Sequence, residues 1–298
     1  MSDEYDRTTQ DVGNILGLEH VNLLQNDRDL ADRFWVSTLG FTRDAYIDLG
    51  LFGNMWVNLG GQQFHLPAGD PQCFRGRIGL AVADLDLVAK RLTRLLDTFP
   101  AAGAAGVAWE RVGSTLEVTA PFGSKLVLHA AEDLEWFGTV GMPYVEVDIE
   151  RGKAPGVVAF YEQMLGAPSQ LCESGATPAA HVGVGRRQHL RFVETDEPLP
   201  DYDGHHIAVY LHDFSGPYGR LRERGLISME TDDHEYRFID IVDPDSGDVC
   251  AQLEHEVRSM FHPMFGRELV NRDDRQGLGT RYRQGHDARP GLHLSGIG

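Results

Sequence analysis

The chain has 298 residues, of which 42% are hydrophobic and 24% are charged, a composition typical of globular proteins. Its 45 acidic and 27 basic residues give a formal net charge of −18, which disfavours binding to nucleic acid or to an anionic membrane surface. No apolar run approaches the roughly 20 residues of a membrane span, and the acidic N-terminus is unlike a signal peptide. The three cysteines lie far apart and fit neither a disulfide framework nor a CxxC metal site, so we expect a cytoplasmic protein.

A short apolar strand motif recurs four times along the chain. Residues 19–27 (EHVNLLQND) and 205–213 (HHIAVYLHD) each open the strand with a His and place an Asp seven positions later. Residues 77–84 (RIGLAVAD) and 144–150 (YVEVDIE) repeat the strand with Arg and Tyr in the His position. The repeat starts lie 57, 67 and 62 residues apart, which predicts four modules of about sixty residues.

Each strand motif is followed by a segment of helical spacing and then by strand-like runs. In the first and third modules the helical segment carries an aromatic pair and then Leu-Gly, and Gly after the last turn is a signal for a helix end. The helical segments are residues 29–41, 86–99, 154–166 and 214–225. The strand pairs are residues 55–59 with 62–66, 115–119 with 125–129, 181–184 with 188–193, and 236–242 with 249–255. Because several strands follow each helix, the pattern predicts a βαβββ unit and disfavours a doubly wound parallel sheet.

The βαβββ unit resembles the vicinal oxygen chelate superfamily, which includes glyoxalase I, extradiol ring-cleavage dioxygenases, fosfomycin-resistance proteins and bleomycin-binding proteins. The resemblance rests on the repeated strand, on the FW or FY and LG of the helices, and on the sequence DPDSG at residues 243–247. It implies an α+β fold in which four βαβββ modules form two cupped, mixed β-sheet barrels with the site inside a cup. We expect an N-terminal extension (1–16), a first half with modules 1 and 2 (17–135), a second half with modules 3 and 4 (140–256), and a C-terminal extension (257–298).

The resemblance also implies that metal ligands come from the first and last strands of a module. At these positions module 1 offers His20 and His65, and module 4 offers His206 and a carboxylate or amide. Modules 2 and 3 begin instead with Arg77 and Tyr144, and a permanently cationic Arg does not bind a cation. We therefore expect modules 1 and 4 to pair around one metal site, and modules 2 and 3 to form a cup without one.

Two residues of the last strand compete for the remaining ligand position. Gln252 and Glu254 share one face of this strand, because side chains alternate with a period of two. The sequence QLE at residues 252–254 matches QFH at residues 63–65, which aligns Glu254 with His65. The interval of 46 residues from His206 to Gln252, however, is closer to the 45 residues from His20 to His65 than is the interval of 48 residues to Glu254. A carboxylate is the better ligand, so we expect Glu254, with Gln252 and His65 as alternatives.

The set of His20, His206 and Glu254 is a two-His, one-carboxylate site, which is typical of non-haem Fe(II) oxygenases. We expect Fe(II), with Mn, Ni, Co or Zn as other candidates, and we expect no residues for an organic cofactor. The predicted reaction is dioxygenation of a small molecule with vicinal oxygen atoms, for example on an aromatic ring, with dioxygen as co-substrate. His65 would then act beside the metal as an acid–base catalyst, since a neutral imidazole is well suited to this near pH 7.

Two other functions stay open at this point. If His65 is a fourth ligand, the site suits a glyoxalase-type or epimerase-type isomerase or lyase. A metal-free resistance protein that binds a small molecule is a third candidate, although such proteins lack the ligands that this chain carries. The C-terminal segment, residues 257–298, is basic, and we expect its first part to pack across the cup or a subunit contact. The sequence is compatible with a monomer or a homo-oligomer.

Overall fold

The computed structural model describes residues 6–45, 54–134, 136, 138–175 and 177–271, and within them each predicted module contains the expected helix and strands. Module 1 comprises β1 (Ile15–Asn22), α1 (Arg28–Ala31), β2 (Thr42–Arg43), β3 (Trp56–Leu59) and β4 (Gln62–His65). Module 2 comprises β5 (Gly76–Val82), α2 (Leu85–Thr98), α3 (Pro100–Ala104), β6 (Ala108–Val112), β7 (Thr115–Thr119) and β8 (Lys125–Ala130).

The second half of the chain repeats this arrangement. Module 3 comprises β9 (Gly141–Glu150), α4 (Ala154–Phe160), β10 (Ser169–Ser174), β11 (Thr177–Gly183) and β12 (His189–Thr195). Module 4 comprises β13 (His206–Leu211), α5 (Ser215–Glu223), β14 (Ile227–Asp232), β15 (Glu235–Val242) and β16 (Val249–Ser259). Helices α1 and α4 continue as π-helical turns, Asp32–Thr38 and Tyr161–Leu165, and two 3-10 turns cover Arg7–Gln10 and Pro121–Gly123.

The strands form two eight-stranded mixed sheets. The first has the order β14-β15-β16-β13-β1-β4-β3-β2, and the second has the order β10-β11-β12-β9-β5-β8-β7-β6. Modules 1 and 4 therefore share one sheet and modules 2 and 3 share the other, as the distribution of ligand residues predicted. In the described part of the chain the sheets are cupped and are not closed into barrels, because their outer strands remain unpaired with each other. Each half of the sequence, 17–135 and 140–256, contributes to both sheets. The division of the chain into these two halves as domains stays a prediction.

In modules 1, 2 and 4 an Asp lies seven residues after the strand start and binds the first turn of the following helix. The side chains of Asp27 and Asp84 each accept a hydrogen bond at 2.9 Å from the backbone N–H three residues further on, and Asp213 does the same at 3.0 Å. An Asp at this position satisfies a donor that the helix leaves free. The repeated Asp therefore stabilises the start of α1, α2 and α5. None of the described helices combines the length and the apolarity needed to cross a membrane.

The aromatic pairs of the helices lie in the core on the convex side of the sheets. Phe34, Trp35, Phe160 and Tyr161 are all at most 1% exposed. The second pair is followed by Gly166 in the left-handed conformation at the helix end, where a residue without Cβ is favoured. Because the helices cover the apolar face of each sheet, the concave faces are free to carry polar side chains. All three cysteines are free.

The described part of the C-terminal segment, residues 260–271, crosses the concave side of the first sheet. Phe265 packs edge-on against Tyr210 of module 4 at 5.0 Å between ring centroids. Further along, Arg267 forms two hydrogen bonds, 2.8 and 3.2 Å long, with the carboxylate of Asp44 in module 1. The first part of the segment thus packs across the cup, as expected, whereas its final residues lie outside the described part of the chain.

Candidate metal centre

The registers of the first sheet place two rows of polar side chains on its concave face. In one row His20 lies beside Ala208, and Ala208 lies beside Glu256. In the next row His206 lies beside Glu254. Since strand side chains alternate between the two faces of a sheet, these side chains project into the same cup. The cup therefore brings together residues from the first strand of module 1 and from the first and last strands of module 4.

His20, His206 and Glu256 converge at one point of this cup. The Nε2 atoms of His206 and His20 lie 3.5 and 3.9 Å from the same Oε2 atom of Glu256, and one ligand atom of each residue lies within 4.8 Å of the others. His20 is fully buried, and its Nε2 has no hydrogen-bond partner among the described residues. A buried polar atom without a partner costs about 1–3 kcal/mol. Two imidazoles and a carboxylate in this arrangement fit a transition-metal ion.

Glu254, the carboxylate chosen from the sequence, lies outside this cluster. Its Oε1 is 2.7 Å from Nη1 of Arg237 and 3.6 Å from Nδ1 of His206, the ring nitrogen opposite to the one that faces Glu256. Gln252, the alternative, is exposed and donates a hydrogen bond of 3.0 Å to a side chain on the neighbouring strand. The structure therefore brings Glu256, rather than Glu254, next to the two histidines, and Glu254 as a metal ligand stays a prediction.

The physical reason for this difference is a register shift of two residues. Gln63 lies opposite the first His of module 1, and Glu254 lies opposite the first His of module 4. The counterpart of His65 is therefore Glu256, although the sequence match had aligned His65 with Glu254. A shift of two residues leaves every side chain on the same face of the strand, so the polar pattern alone does not reveal it.

A second carboxylate lies beside each histidine. Nδ1 of His20 is 2.7 Å from Oε2 of Glu19, the preceding residue. The register of β1 shifts between Leu18 and His20, and such a bulge lets two adjacent side chains serve the same site. Glu254 has the corresponding place beside Nδ1 of His206. A carboxylate at this position orients an imidazole and directs its other nitrogen towards a metal.

The electrostatic surroundings favour the protonation states that metal binding requires. Burial lowers the pKa of His20, although Glu19 acts in the opposite direction, so the ring is neutral at neutral pH. Burial raises the pKa of Glu256, but the hydrogen bond from His206 and the charges of neighbouring cationic groups hold it well below its usual range. Arg237 lies 2.6 Å from Glu256. A neutral imidazole and an ionised carboxylate are the forms that bind metal ions.

The charged groups around the cluster carry an excess of negative charge. Four carboxylates and two guanidinium groups lie together, joined by a network of ion pairs. They are Glu19, Glu235, Glu254, Glu256, Arg237 and Arg258. Their formal charges leave two negative charges uncompensated in a largely buried place, which is unfavourable without a counter-ion. A divalent cation bound by His20, His206 and Glu256 would neutralise this charge.

His65 lies at the side of the cluster and not within it. Its ring is stacked between the ring of His20, with centroids 3.6 Å apart, and the ring of Trp56, at 3.8 Å and 5° between planes. Its Nε2 is 3.2 Å from Oε1 of Gln63. Burial, followed by the nearby positive charges, lowers the pKa of His65 well below its usual value. The imidazole is therefore neutral, and its predicted role in acid–base catalysis stays a prediction.

Sequence reasoning missed several of these residues. Glu256 and Arg258 follow the predicted Glu254 along β16 with a period of two, and this alternation is a signal of a polar strand face in the sequence. Glu19 had no such signal, because its access to the site depends on the bulge in β1. Trp56 was predicted only as part of a strand, and its stacking on His65 depends on the pairing of β3 with β4.

Solved structures match this fold, whereas no protein-family model and no curated protein matches the sequence. A point mutant of glyoxalase I from Zea mays matches with a TM-score of 0.57 over 82% of this chain and 93% of that chain, at 14% identity. A putative dioxygenase from Bacillus subtilis matches with a TM-score of 0.52 over 86% of this chain and 92% of that chain, at 15% identity. These likenesses confirm the predicted fold of four βαβββ modules in two cupped, mixed sheets, which is similar to that of glyoxalase I.

Proposed function

We propose that this protein is a metal-dependent enzyme that holds Fe(II) through His20, His206 and Glu256 and dioxygenates a small substrate with adjacent oxygen atoms. The observation that carries the proposal is the convergence of three ligand atoms, two imidazole nitrogens and one carboxylate oxygen, in a buried and negatively charged part of the cup. A metal held in this way keeps three coordination positions open, enough for a chelating substrate and dioxygen.

The chain's own residues prepare this site. Glu19 and Glu254 lie beside the Nδ1 atoms of the two histidines and direct the Nε2 atoms inward. The guanidinium group of Arg237 binds Glu256 and keeps its carboxyl ionised. Residues 260–271 cross the concave side of the sheet, where Phe265 packs against Tyr210. The site is therefore organised before a substrate enters.

The position of His65 favours a dioxygenase over an isomerase or lyase. A glyoxalase-type or epimerase-type reaction would use His65 as a fourth ligand. Its ring instead stacks face to face on His20, and its Nε2 is near the amide oxygen of Gln63. In the dioxygenase proposal His65 is a neutral imidazole beside the site, where it accepts or donates a proton.

The first experiment measures iron content after anaerobic reconstitution of the metal-free protein with Fe(II). Wild type is expected to bind one iron per chain, and His20→Ala and His206→Ala are expected to lose it. His212→Ala is the matched control, since His212 is exposed on the surface, and it should bind like wild type. Retention of iron by both His20→Ala and His206→Ala would overturn the site assignment, and loss of metal in His65→Ala would favour the isomerase or lyase function.

The second experiment measures oxygen consumption by the iron-loaded protein with a panel of catechols and hydroquinones. A dioxygenase consumes one dioxygen for each substrate molecule, and the variants that lose iron should be inactive. Substrate turnover without oxygen consumption would support the isomerase or lyase function. A protein that binds panel compounds equally well with and without metal would instead fit a metal-free binding protein.

A further inference from the structure

The concave face of the second sheet carries a row of cationic side chains. The strand registers place Lys125 beside Arg77, Arg77 beside Glu146, and Glu146 beside Arg191. Neighbouring strands lie about 4.8 Å apart, so the four residues span about 14 Å of the sheet. Three cations accompany one carboxylate, and the row has a formal charge of +2 in a chain whose net charge is −18. The three cations of this row are candidates for binding an anionic ligand.

The cations of this row are only weakly engaged by the protein itself. Nε of Arg77 is 3.5 Å from Oε1 of Glu146, and the Arg77 side chain is 54% exposed. The guanidinium carbon of Arg191 lies 4.1 Å from the centre of the Tyr144 ring, and Lys125 donates a hydrogen bond of 2.8 Å to a threonine hydroxyl. Within the described residues, no carboxylate forms an ion pair with Arg191 or Lys125. Their charges are therefore available to a ligand.

Part of the row lines an open cavity of about 460 Å³. Its walls include two cations, Arg77 and Lys125, and two carboxylates, Glu110 and Glu117. This volume is in the range that holds small organic molecules. Towards the centre of the sheet, the ring of Tyr144 lies over Gly79, where an added Cβ would be 2.2 Å from the ring. The Tyr144 ring therefore fills the space above Gly79, and an anion would bind on the Arg77 and Lys125 side of the cavity, away from Glu110 and Glu117.

We propose that this second cup binds a small organic dianion, such as a dicarboxylate, through Arg77, Lys125 and Arg191. Guanidinium and ammonium groups form charge-assisted hydrogen bonds with carboxylates, and Arg binds them through two parallel bonds. The site lies in the other sheet from the proposed metal centre, so it does not depend on the proposed enzymatic function.

The test is isothermal titration of the full-length, metal-free protein with succinate and phthalate, with acetate as the singly charged comparison. We expect saturable binding of one dicarboxylate per chain, with acetate bound at least about tenfold more weakly. The variant Arg77→Gln/Arg191→Gln should weaken dicarboxylate binding at least about tenfold. The single variant Lys125→Gln, at an exposed position, should weaken it in the same direction and keeps the test valid if the double variant fails to fold.

Two matched controls separate this site from other binding. Arg33→Gln removes an exposed, ion-paired arginine elsewhere on the surface, and His206→Ala alters the first cup, so both should bind the dicarboxylates like wild type. The proposal is overturned if wild type shows no saturable binding of either dicarboxylate. It is also overturned if Arg33→Gln weakens binding as much as Lys125→Gln, or if His206→Ala abolishes it.

Discussion

Replacing the carboxylate of Glu256 by an amide tests the most specific feature of the proposed metal centre. Oε2 of Glu256 lies 3.5 Å from Nε2 of His206 and 3.9 Å from Nε2 of His20. The change Glu256→Gln also removes one of the two uncompensated negative charges. The binding free energy of zinc at sites with four ligands is about 10–16 kcal/mol, or about 3 kcal/mol for each ligand. We therefore expect Glu256→Gln to weaken metal affinity by about a hundredfold or more. Anaerobic competition with a chromophoric chelator measures this change.

The matched variant is Glu254→Gln, two residues away on the same face of β16. Its carboxylate lies beside Nδ1 of His206 and orients this ring, and loss of such an outer contact typically costs about 10–100-fold in affinity. We expect a loss of about tenfold, smaller than that of Glu256→Gln. If Glu254→Gln weakened binding more than Glu256→Gln, Glu254 would be the ligand and the argument from strand register would be refuted.

Four further predictions follow from other parts of the structure. Fe(II) at about 100 times its dissociation constant should raise the free energy of unfolding by about 2.7 kcal/mol, and thermal scans should show this shift in wild type but not in His206→Ala. Phe160 is fully buried between α4 and the first sheet, so Phe160→Ala should lower the free energy of unfolding by about 3–5 kcal/mol in urea titrations; a loss below about 1 kcal/mol would contradict this packing. Asp84→Ala removes the cap of α2 and should lower the free energy of unfolding by about 1 kcal/mol without changing metal affinity. An unchanged midpoint of urea unfolding would contradict the role of this cap. Burial, and then nearby positive charges, lowers the pKa of His189 from 6.5 to about 4. The unfolded chain therefore binds a proton on His189 more tightly than the folded chain does, and the free energy of unfolding decreases as the pH falls from 6.5 to 4. Because His189 is partly exposed, we expect about 1 kcal/mol, measured as the difference in pH dependence between wild type and His189→Asn; identical profiles would contradict it.

The fold was predictable because the same local rules act in each module. The Asp that follows the strand start in modules 1, 2 and 4 binds the first turn of a helix, and the aromatic pairs of the helices pack into the core. The repeat in the sequence therefore reflects a repeat in structure. The pairing of modules 1 and 4 followed from ligand chemistry, since Arg77 and Tyr144 are unsuitable for a cation. The structure brings together His20 and His206, the two histidines at equivalent positions of the repeat.

The remaining parts of the site depend on features that the sequence pattern does not contain. The choice between Glu254 and Glu256 depends on a register shift of two residues, which preserves the strand face. The contact of Glu19 with His20 depends on a bulge in β1. The second cup was predicted only as a cup without a metal. The row of Arg77, Glu146 and Arg191 is formed by three paired strands, and this pairing is not contained in the sequence pattern.

The most direct test of the metal centre is a crystal structure of the protein loaded with Fe(II) or Mn(II) without oxygen, with anomalous diffraction recorded at the metal edge. The account predicts one anomalous peak in the first cup, about 2.1 Å from Nε2 of His20, Nε2 of His206 and a carboxylate oxygen of Glu256, with His65 still stacked on His20. The absence of a peak in the first cup, or a peak coordinated by Glu254 instead of Glu256, would contradict it.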